Sequence, residues 1–451
     1  MRPKSLSIPR STIRLTTVTA AVLVALSSAA PVHADEISDL KAEIAAQKQA
    51  AEAQRARLDA LEQKLNSVQQ QQAAPAAAAP AASGGVAYAY GDGLSYKTPL
   101  ASVTLYGLID VSYVHANHAN AKSSDFNAPR VAWMSGNRWG LTGKRAMGDS
   151  GMNVIFRLES EFESQTGNMD TAGTLFNRDA WVGVENASFG KLTLGRQNAI
   201  ARDPASSAIY GDPYGPAAPS TEEGGYTNNN NFKQLIFYAG SATGTRMDNG
   251  VAWKKAFDNG LVAALAYQFG GIPGDFSNGT TETASLAYAG GAFNVAGFVT
   301  SAKVAGLSDK SYSVGGNYTV GDVRLNAGVF RYTGEQGALG NRSDNAYTVS
   351  AKYAPAGKMD FQIGYQDMKA NRAAVNGSGN VLNAFANAST AKATATGSRS
   401  TLYASAFYHF DKVTEVYIAA DYLKLHDGYK VGVTNGFPTQ AELAVGLRTR
   451  F

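Results

Sequence analysis

From about residue 100 onward the chain alternates apolar and polar positions with period two, in short runs separated in turn by very short Gly/Asp/Asn turns and by much longer polar loops. The last run is the clearest. Ala441, Leu443, Val445, Leu447, Thr449 and Phe451 fall on one face, and Glu442, Ala444, Gly446, Arg448 and Arg450 on the other. A strand of this kind sets one row against lipid and the other against water. Short turns recur at Asn186 to Gly190, Asp258 to Gly260, Gly290-Gly291, Gly321-Asp322, Pro355 to Gly357 and Asp411-Lys412. Long loops are expected near 115–129, 164–175, 197–245, 270–280, 301–310, 333–344, 369–398 and 425–440. Eight long loops alternating with seven short turns, these six among them, connect sixteen strands, leaving about 22 residues for each strand with its connection, enough for a ~10-residue strand. A soluble β-sandwich supplies single strands of this type but does not keep one-sided short turns through so long a stretch. The expected fold of residues 101–451 is therefore all-β, a 16-stranded antiparallel transmembrane barrel.

The first hundred residues read differently. Basic residues up to Arg14, an apolar stretch from Ala20 to Leu26 and the small-residue pattern Val32-His33-Ala34 make residues 1–34 a signal peptide cleaved after Ala34, rather than an anchor helix, for which the apolar core is short. Ile37, Leu40, Ile44, Gln47, Ala51, Gln54, Leu58, Leu61, Leu65 and Val68 then step by three and four without a slip, among helix-favouring Glu, Lys, Gln and Ala. This is a coiled-coil seam over 35–72, with Gln47 and Gln54 as polar layers. A lone helix with so thin a stripe would not hold in water, so oligomerisation is implied. Residues 73–100, rich in Ala, Pro and Gly, read as a linker. No run of about 18 apolar residues follows residue 35, so a mature chain that spans a membrane does so as a closed barrel.

Composition narrows the function. The 451 residues contain 47 Gly, 22 Tyr and only 17% charged residues, unlike a typical cytosolic enzyme. Zero Cys excludes disulfides, thiolate metal sites and cysteine nucleophiles. The formal charge is +4, but Arg2, Lys4, Arg10 and Arg14 all lie in the first 34 residues, where no acid does. The mature chain is neutral and a poor nucleic-acid binder.

The segments Val103-Thr104-Leu105-Tyr106-Gly107-Leu108-Ile109-Asp110, Asn137-Arg138-Trp139-Gly140-Leu141-Thr142-Gly143 and Phe156-Arg157-Leu158-Glu159-Ser160 resemble the opening strands of Gram-negative general porins. Leu175 to Val184, Phe189 to Gln197 and the terminal Gly446-Leu447-Arg448-Thr449-Arg450-Phe451 extend the resemblance over residues 101–451, in the manner of β-proteobacterial porins. It implies a porin barrel that forms a homotrimer in the outer membrane of a Gram-negative bacterium. A third loop would fold into each barrel, and Phe451 would act as an assembly signal. Each monomer would be a water-filled pore for passive diffusion of small hydrophilic solutes and ions.

In that family basic side chains on the wall face acids of the inward loop, which sets a transverse field and filters solutes. Arg138 matches the wall arginine of the second strand, Arg196 the one ending the fifth, and Arg246 the sixth-strand position. The alternative for each is a solvated rim residue paired with a carboxylate. Arg157, Glu159 and Glu161 share the face of strand three that apolar Val154, Phe156, Leu158 and Phe162 leave for the lumen. The third loop, about 197–245, lacks a Pro-Glu-Phe-Gly turn and offers Asp203, Asp212, Glu222 and Glu223 as acidic candidates. Leu108 stands where some porins carry a lysine.

An outer-membrane enzyme is the rival from another class, but His115, His118, His409 and His426 form no recognisable nucleophile arrangement. His115 and His118 lack an acid partner beyond Asp125 and read as surface histidines rather than metal ligands. No Gly-Lys pair precedes Ser or Thr, so no phosphate loop exists. No cofactor or metal is expected. A sugar-selective porin is the nearer alternative, since the sucrose-specific porin, of a different barrel family, also has a periplasmic coiled coil. Most tyrosines here, however, fall where girdle aromatics fall. A third reading is a tether, because a helix from 35 to 70 would reach roughly 54 Å into the periplasm, long enough to meet peptidoglycan. The other expected partners are outer-membrane lipid and lipopolysaccharide, and the barrel-assembly machinery through the C-terminal strand.

Overall fold

The computed structural model describes residues 85–89, 93–131, 134–202, 242–382 and 391–451, and scattered residues between Ala45 and Gln63 that are helical and exposed. Every position of the coiled-coil seam, from Ile37 to Val68, lies outside the described residues. The chain divides into one unit of residues 1–81 and another of residues 82–451.

The strands of the second unit are, in order, β1 (Gly85–Ala89), β2 (Gly93–Lys97), β3 (Ala101–Ala116), β4 (Phe126–Val131), β5 (Arg138–Ala146), β6 (Asn153–Glu161), β7 (Asp179–Asn186), β8 (Gly190–Asn198), β9 (Arg246–Ala256) and β10 (Leu261–Gln268). They continue with β11 (Thr280–Gly290), β12 (Phe293–Val304), β13 (Leu307–Val320), β14 (Val323–Glu335), β15 (Asn341–Tyr353), β16 (Met359–Val375), β17 (Ala393–His409), β18 (Thr414–His426) and β19 (Thr439–Arg450). From β5 to β19 each strand pairs antiparallel with the next, and β19 returns to β3 from Glu442↔Ala116 to Arg450↔Leu108. Because β4 and β5 pair with successive halves of β3 and form one bent wall strand, the closed wall has sixteen strands. Closure satisfies every interior ladder donor and acceptor within the wall, which is the condition for crossing lipid as sheet.

The two rows of each strand have opposite chemistry. Leu265, Val299, Val314, Leu325, Val349, Ile363, Leu402, Ile418, Val445 and Leu447 are exposed on the outside. Thr281, Ser311, Asn326, Thr348, Gln366, Thr401 and Glu442 are buried on the inside. Outward aromatics form two belts around this aliphatic band. Phe293, Tyr318, Tyr353, Phe361 and Tyr408 lie toward the short-turn end, and Tyr113, Tyr312, Tyr347 and Tyr422 toward the long-loop end. That is the profile of a barrel in a bilayer.

The ends of the wall meet at Gly107 and Phe451. Gly107 N–H donates to Phe451 O at 2.9 Å and Phe451 N–H to Gly107 O at 3.1 Å, and a Cβ on Gly107 would overlap the Phe451 ring. Glycine thus lets the last ring lie flat on the first barrel strand. Gly107→Val should lower stability in urea unfolding by about 1–3 kcal/mol, the usual overpacking range, and Phe451→Ala in the same chain should recover part of it.

Two segments differ from the sequence expectation. Within the stretch expected as linker, β1 and β2 form a hairpin, and β2 pairs with β3 from Leu94↔Leu105 to Lys97↔Ser102. The alternation of Val86 and Tyr88, then Leu94 and Tyr96, already carries that period, and β3 runs past the end of β19, leaving an edge to be filled. Residues 301–310 are not a long loop. Strands β12 and β13 continue to a two-residue turn in which Ala305 (φ 51°) and Gly306 (φ 80°) are both left-handed, the geometry that matches strand twist. Ser301, Lys303, Asp309 and Lys310 read as loop residues because polar side chains near the mouth of a barrel break the alternation.

Candidate pore constriction

The first inner wall segment, β3 and β5 to β9, concentrates charge at the long-loop end of short strands. Period two places Arg157, Glu159 and Glu161 of β6 inward, opposite Thr142, Gly140 and Arg138 of β5. Glu159 is the centre of a closed network. Its Oε2 accepts from Tyr106 Oη at 2.7 Å and from Arg157 Nη2 at 2.8 Å, and its Oε1 accepts from Arg178 Nε at 2.5 Å. Arg178 Nη1 reaches Glu161 Oε2 at 2.5 Å, while Arg157 Nε donates to Tyr106 Oη at 2.6 Å and lies 3.5 Å from Asp179. With Arg138 across the ladder from Glu161, three guanidinia face three carboxylates. Glu159 (2% exposed) and Arg178 (3%) are sealed into the wall, whereas Arg157 (38%) faces the interior space. Burial makes each bond of such a network stronger and each missing partner costlier.

Gly140 is part of the design, since Tyr106 lies over it and a Cβ there would overlap the phenol. Leu108, in the position noted for lysine, is buried inward and directly opposite Arg138.

Arg196 and Arg246 act on one piece of backbone. A register shift between Gly195 (φ 125°) and Gln197 leaves Arg196 opposite Ala180, in the row of exposed Val182 and Leu194. Its Nε donates to Asn177 O at 2.7 Å and its guanidinium pairs with Asp248. Arg246, buried at the start of β9, donates from Nε to Arg178 O at 3.0 Å. Asn177 Oδ1 accepts the Glu161 N–H at 2.8 Å. The run Asn177-Arg178-Asp179 is therefore held by Arg196 and Arg246 through its carbonyls, and it places the Arg178 side chain on Glu159 and Glu161. The acidic candidates Asp203, Asp212, Glu222 and Glu223 lie outside the described residues.

Elsewhere the inner face carries charges that the resemblance did not single out. Asp110 accepts from Tyr417 Oη at 2.7 Å and from the N–H groups of Met134 and Ser135 at 3.1 and 2.9 Å. Glu415 pairs with Arg448 and, at 2.8 Å, with His409, whose other nitrogen is 3.0 Å from Asp360. Arg342 pairs with Asp344 at 2.7 Å, and Tyr332 donates to Asp309 at 2.6 Å. Their signal in the sequence is inward parity alone. His115 and His118 are engaged locally, the first with Asn127 at 2.9 Å and the second with Thr439 O at 2.6 Å while stacked on Phe437. The described residues form no group of three or more metal-ligating side chains.

Comparison with known proteins agrees with this geometry. A family model described as Gram-negative porin matches residues 74–428. An outer membrane porin protein of Bordetella pertussis is 31% identical over 259 residues, which span 50% of this chain and 62% of that protein's length. The anion-selective porin from Comamonas acidovorans shares the fold at a TM-score of 0.61 and 20% identity, covering 78% of this chain and 100% of the other. The trimer form of OmpT, an outer membrane protein of Vibrio cholerae, does so at 0.53 and 15%, covering 78% and 100%. The family match covers most of the chain, the wall closes with sixteen strands, and its outer and inner rows divide into apolar and charged; the chain belongs to the Gram-negative porin family.

Proposed function

We propose that this protein is an outer-membrane channel through which small hydrophilic solutes and ions diffuse down their gradients. The observation that carries the reading is the closed sixteen-strand wall with an apolar outer row between aromatic belts and an inner row of charged and amide side chains. Such a wall is stable in lipid and wettable within. Long loops face the outside of the cell and short turns the periplasm. Arg138 and Arg157, with Glu159, Glu161 and Arg178 behind them, form the fixed side of the constriction, and no covalent step is required. Arg196 and Arg246 serve it by holding the backbone that presents Arg178. Asp203, Asp212, Glu222 and Glu223 are the loop acids for the facing side. Proteoliposomes should swell in isotonic arabinose and more slowly in a trisaccharide of the same osmolarity. Equal impermeability to both sugars, with the barrel folded, would contradict a diffusion pore.

We further propose that residues 1–34 are removed on export and that the working form is a homotrimer reinforced by the periplasmic coiled coil of residues 35–72. Ten seam positions on one heptad lattice support this, as does the trimer form known for a protein of the same fold. Deleting residues 35–72 should lower the temperature at which trimers dissociate on unheated gels while leaving single-pore conductance nearly unchanged. Lost conductance would instead make the coiled coil part of the channel. Phe451 is the handle for the barrel-assembly machinery, and lipopolysaccharide and peptidoglycan are the partners at the outer face and beneath.

A further inference from the structure

The outward face of β9 to β13 is unevenly filled. One ladder row runs Trp253, Leu265, Ala284, Val299 and Tyr312 from strand to strand, and its middle member is the smallest. Gly297, opposite Leu286, is the diagonal neighbour of Ala284. Large side chains on both sides of Ala and Gly leave a depression in the wall. A groove of about 720 Å3 opens there, lined by Trp253, Leu265, Ala284, Val299 and Tyr312 among others. The Trp253 indole N–H donates to Phe189 O at 2.7 Å, which fixes one bank. A second apolar depression, of about 540 Å3, shares Ala284 and Val299 with the first and continues over Leu286 and Gly297 toward the short-turn end.

The end of the groove toward the long loops is charged. The next outward row is Tyr267, Glu282, Ser301 and Lys310, and both Glu282 and Lys310 line the groove. Lys303 stands opposite Ser308 and Arg331 opposite Tyr312, so each is a diagonal neighbour of Lys310, a spacing that long side chains bridge. Arg331 Nη1 donates to Asn345 Oδ1 at 3.4 Å, and Glu335 accepts the Ser308 N–H at 2.9 Å. This surface therefore carries Lys303, Lys310 and Arg331 against Glu282 and Glu335. These groups lie at or beyond Tyr312 of the long-loop belt, at headgroup level, whereas the groove below them lies at the depth of acyl chains.

We propose that this groove seats one acyl chain of lipopolysaccharide, with a phosphate of the lipid A headgroup at Lys310, flanked by Lys303 and Arg331. An apolar channel that ends under a row of cations matches an acyl chain joined to a phosphate, by shape at one end and by charge at the other. The Arg331 guanidinium can take a phosphate through two parallel N–H bonds and the ammonium groups as point charges, so three cations across β12 to β14 suit a headgroup with more than one phosphate. The inference rests on the long-loop end lying in the outer leaflet, and it names the wall face and the chemical groups by which that partner is held.

Purified lipid A is the probe, titrated into the folded, full-length protein after removal of co-purified lipid in detergent, with the bound number read by native mass spectrometry. One tightly held lipid A per chain is expected. Its half-saturating concentration should rise at least tenfold in Ala284→Trp, which fills the groove, and in Lys310→Gln combined with Arg331→Gln. Ala420→Trp and Lys424→Gln, outward on β18 and away from the groove, should stay within about threefold of wild type. Lipid A stripped of its phosphates, and phosphatidylglycerol, should both bind at least tenfold more weakly. Unchanged lipid A binding in the groove variants, equal losses in the β18 variants, or phosphatidylglycerol binding as well as lipid A would each overturn the seat. Dissociation of the oligomer in Ala284→Trp with lipid A affinity unchanged would also overturn it and make the groove a contact between copies. Normal lipid A binding without any channel steps would instead overturn the diffusion reading and leave the seat standing.

Discussion

Glu159→Ala is expected to lower the unfolding free energy of the barrel by about 3–5 kcal/mol, the cost of removing one partner from a buried charge cluster. Arg178 is 3% exposed and would lose its bond to Glu159, while Tyr106 and Arg157 would lose their common acceptor. Tyr106→Phe should cost only about 1 kcal/mol, because it removes a hydroxyl and leaves the ion pairs. The two are separated by urea unfolding of the folded protein in micelles, followed by intrinsic fluorescence. Glu159→Ala should also displace the reversal potential toward anion preference, since three guanidinia would then face two carboxylates. Equal stability of Glu159→Ala and wild type would mean that Glu159 is not the centre of the wall network.

The second large effect concerns sidedness. Ile363, in the outward row of β16 between Phe361 and Tyr365, is 54% exposed, and Ile363→Arg should cost about 2–4 kcal/mol, as a charge near the bilayer midplane does. Its neighbour Gln362 points inward and is buried among polar side chains. Gln362→Arg should cost less than about 1 kcal/mol and alter conductance instead. Refolding yields into bilayers of stated thickness measure the first, and single-channel current the second. A reversal of the two effects would invert the assignment of lipid and lumen faces.

The barrel was legible wherever strands kept strict alternation between turns of Gly, Asp and Asn, as in Ala441 to Phe451. It was obscured where inward polar residues crowd a strand end, as at Ser301, Lys303 and Asp309, because period two is lost when both rows are polar. The hairpin of β1 and β2 was hidden by the Ala/Pro/Gly composition that precedes it, although Leu94 and Tyr96 alternate. Within the site, Arg157, Glu159 and Glu161 could be placed together from parity on one strand. Arg178 could not, because it precedes β7 and reaches Glu159 only across the sheet. Tyr106, Tyr332 and Tyr417 were hidden among belt aromatics, since composition does not tell which row a tyrosine occupies. Their hydroxyls bond Glu159, Asp309 and Asp110 on the inside. Arg196 and Arg246 show the converse. Their positions were visible as basic residues flanking the third loop, but their action on the carbonyls of Asn177 and Arg178 depends on the shift after Gly195 and on side-chain reach.

Single-channel current of the purified protein in a planar bilayer tests the central claim most directly, with the reversal potential read under a salt gradient. The expected result is stable, ohmic steps that occur in groups of three and persist without any added solute. Folded protein that inserts and passes no ionic current would contradict a water-filled pore.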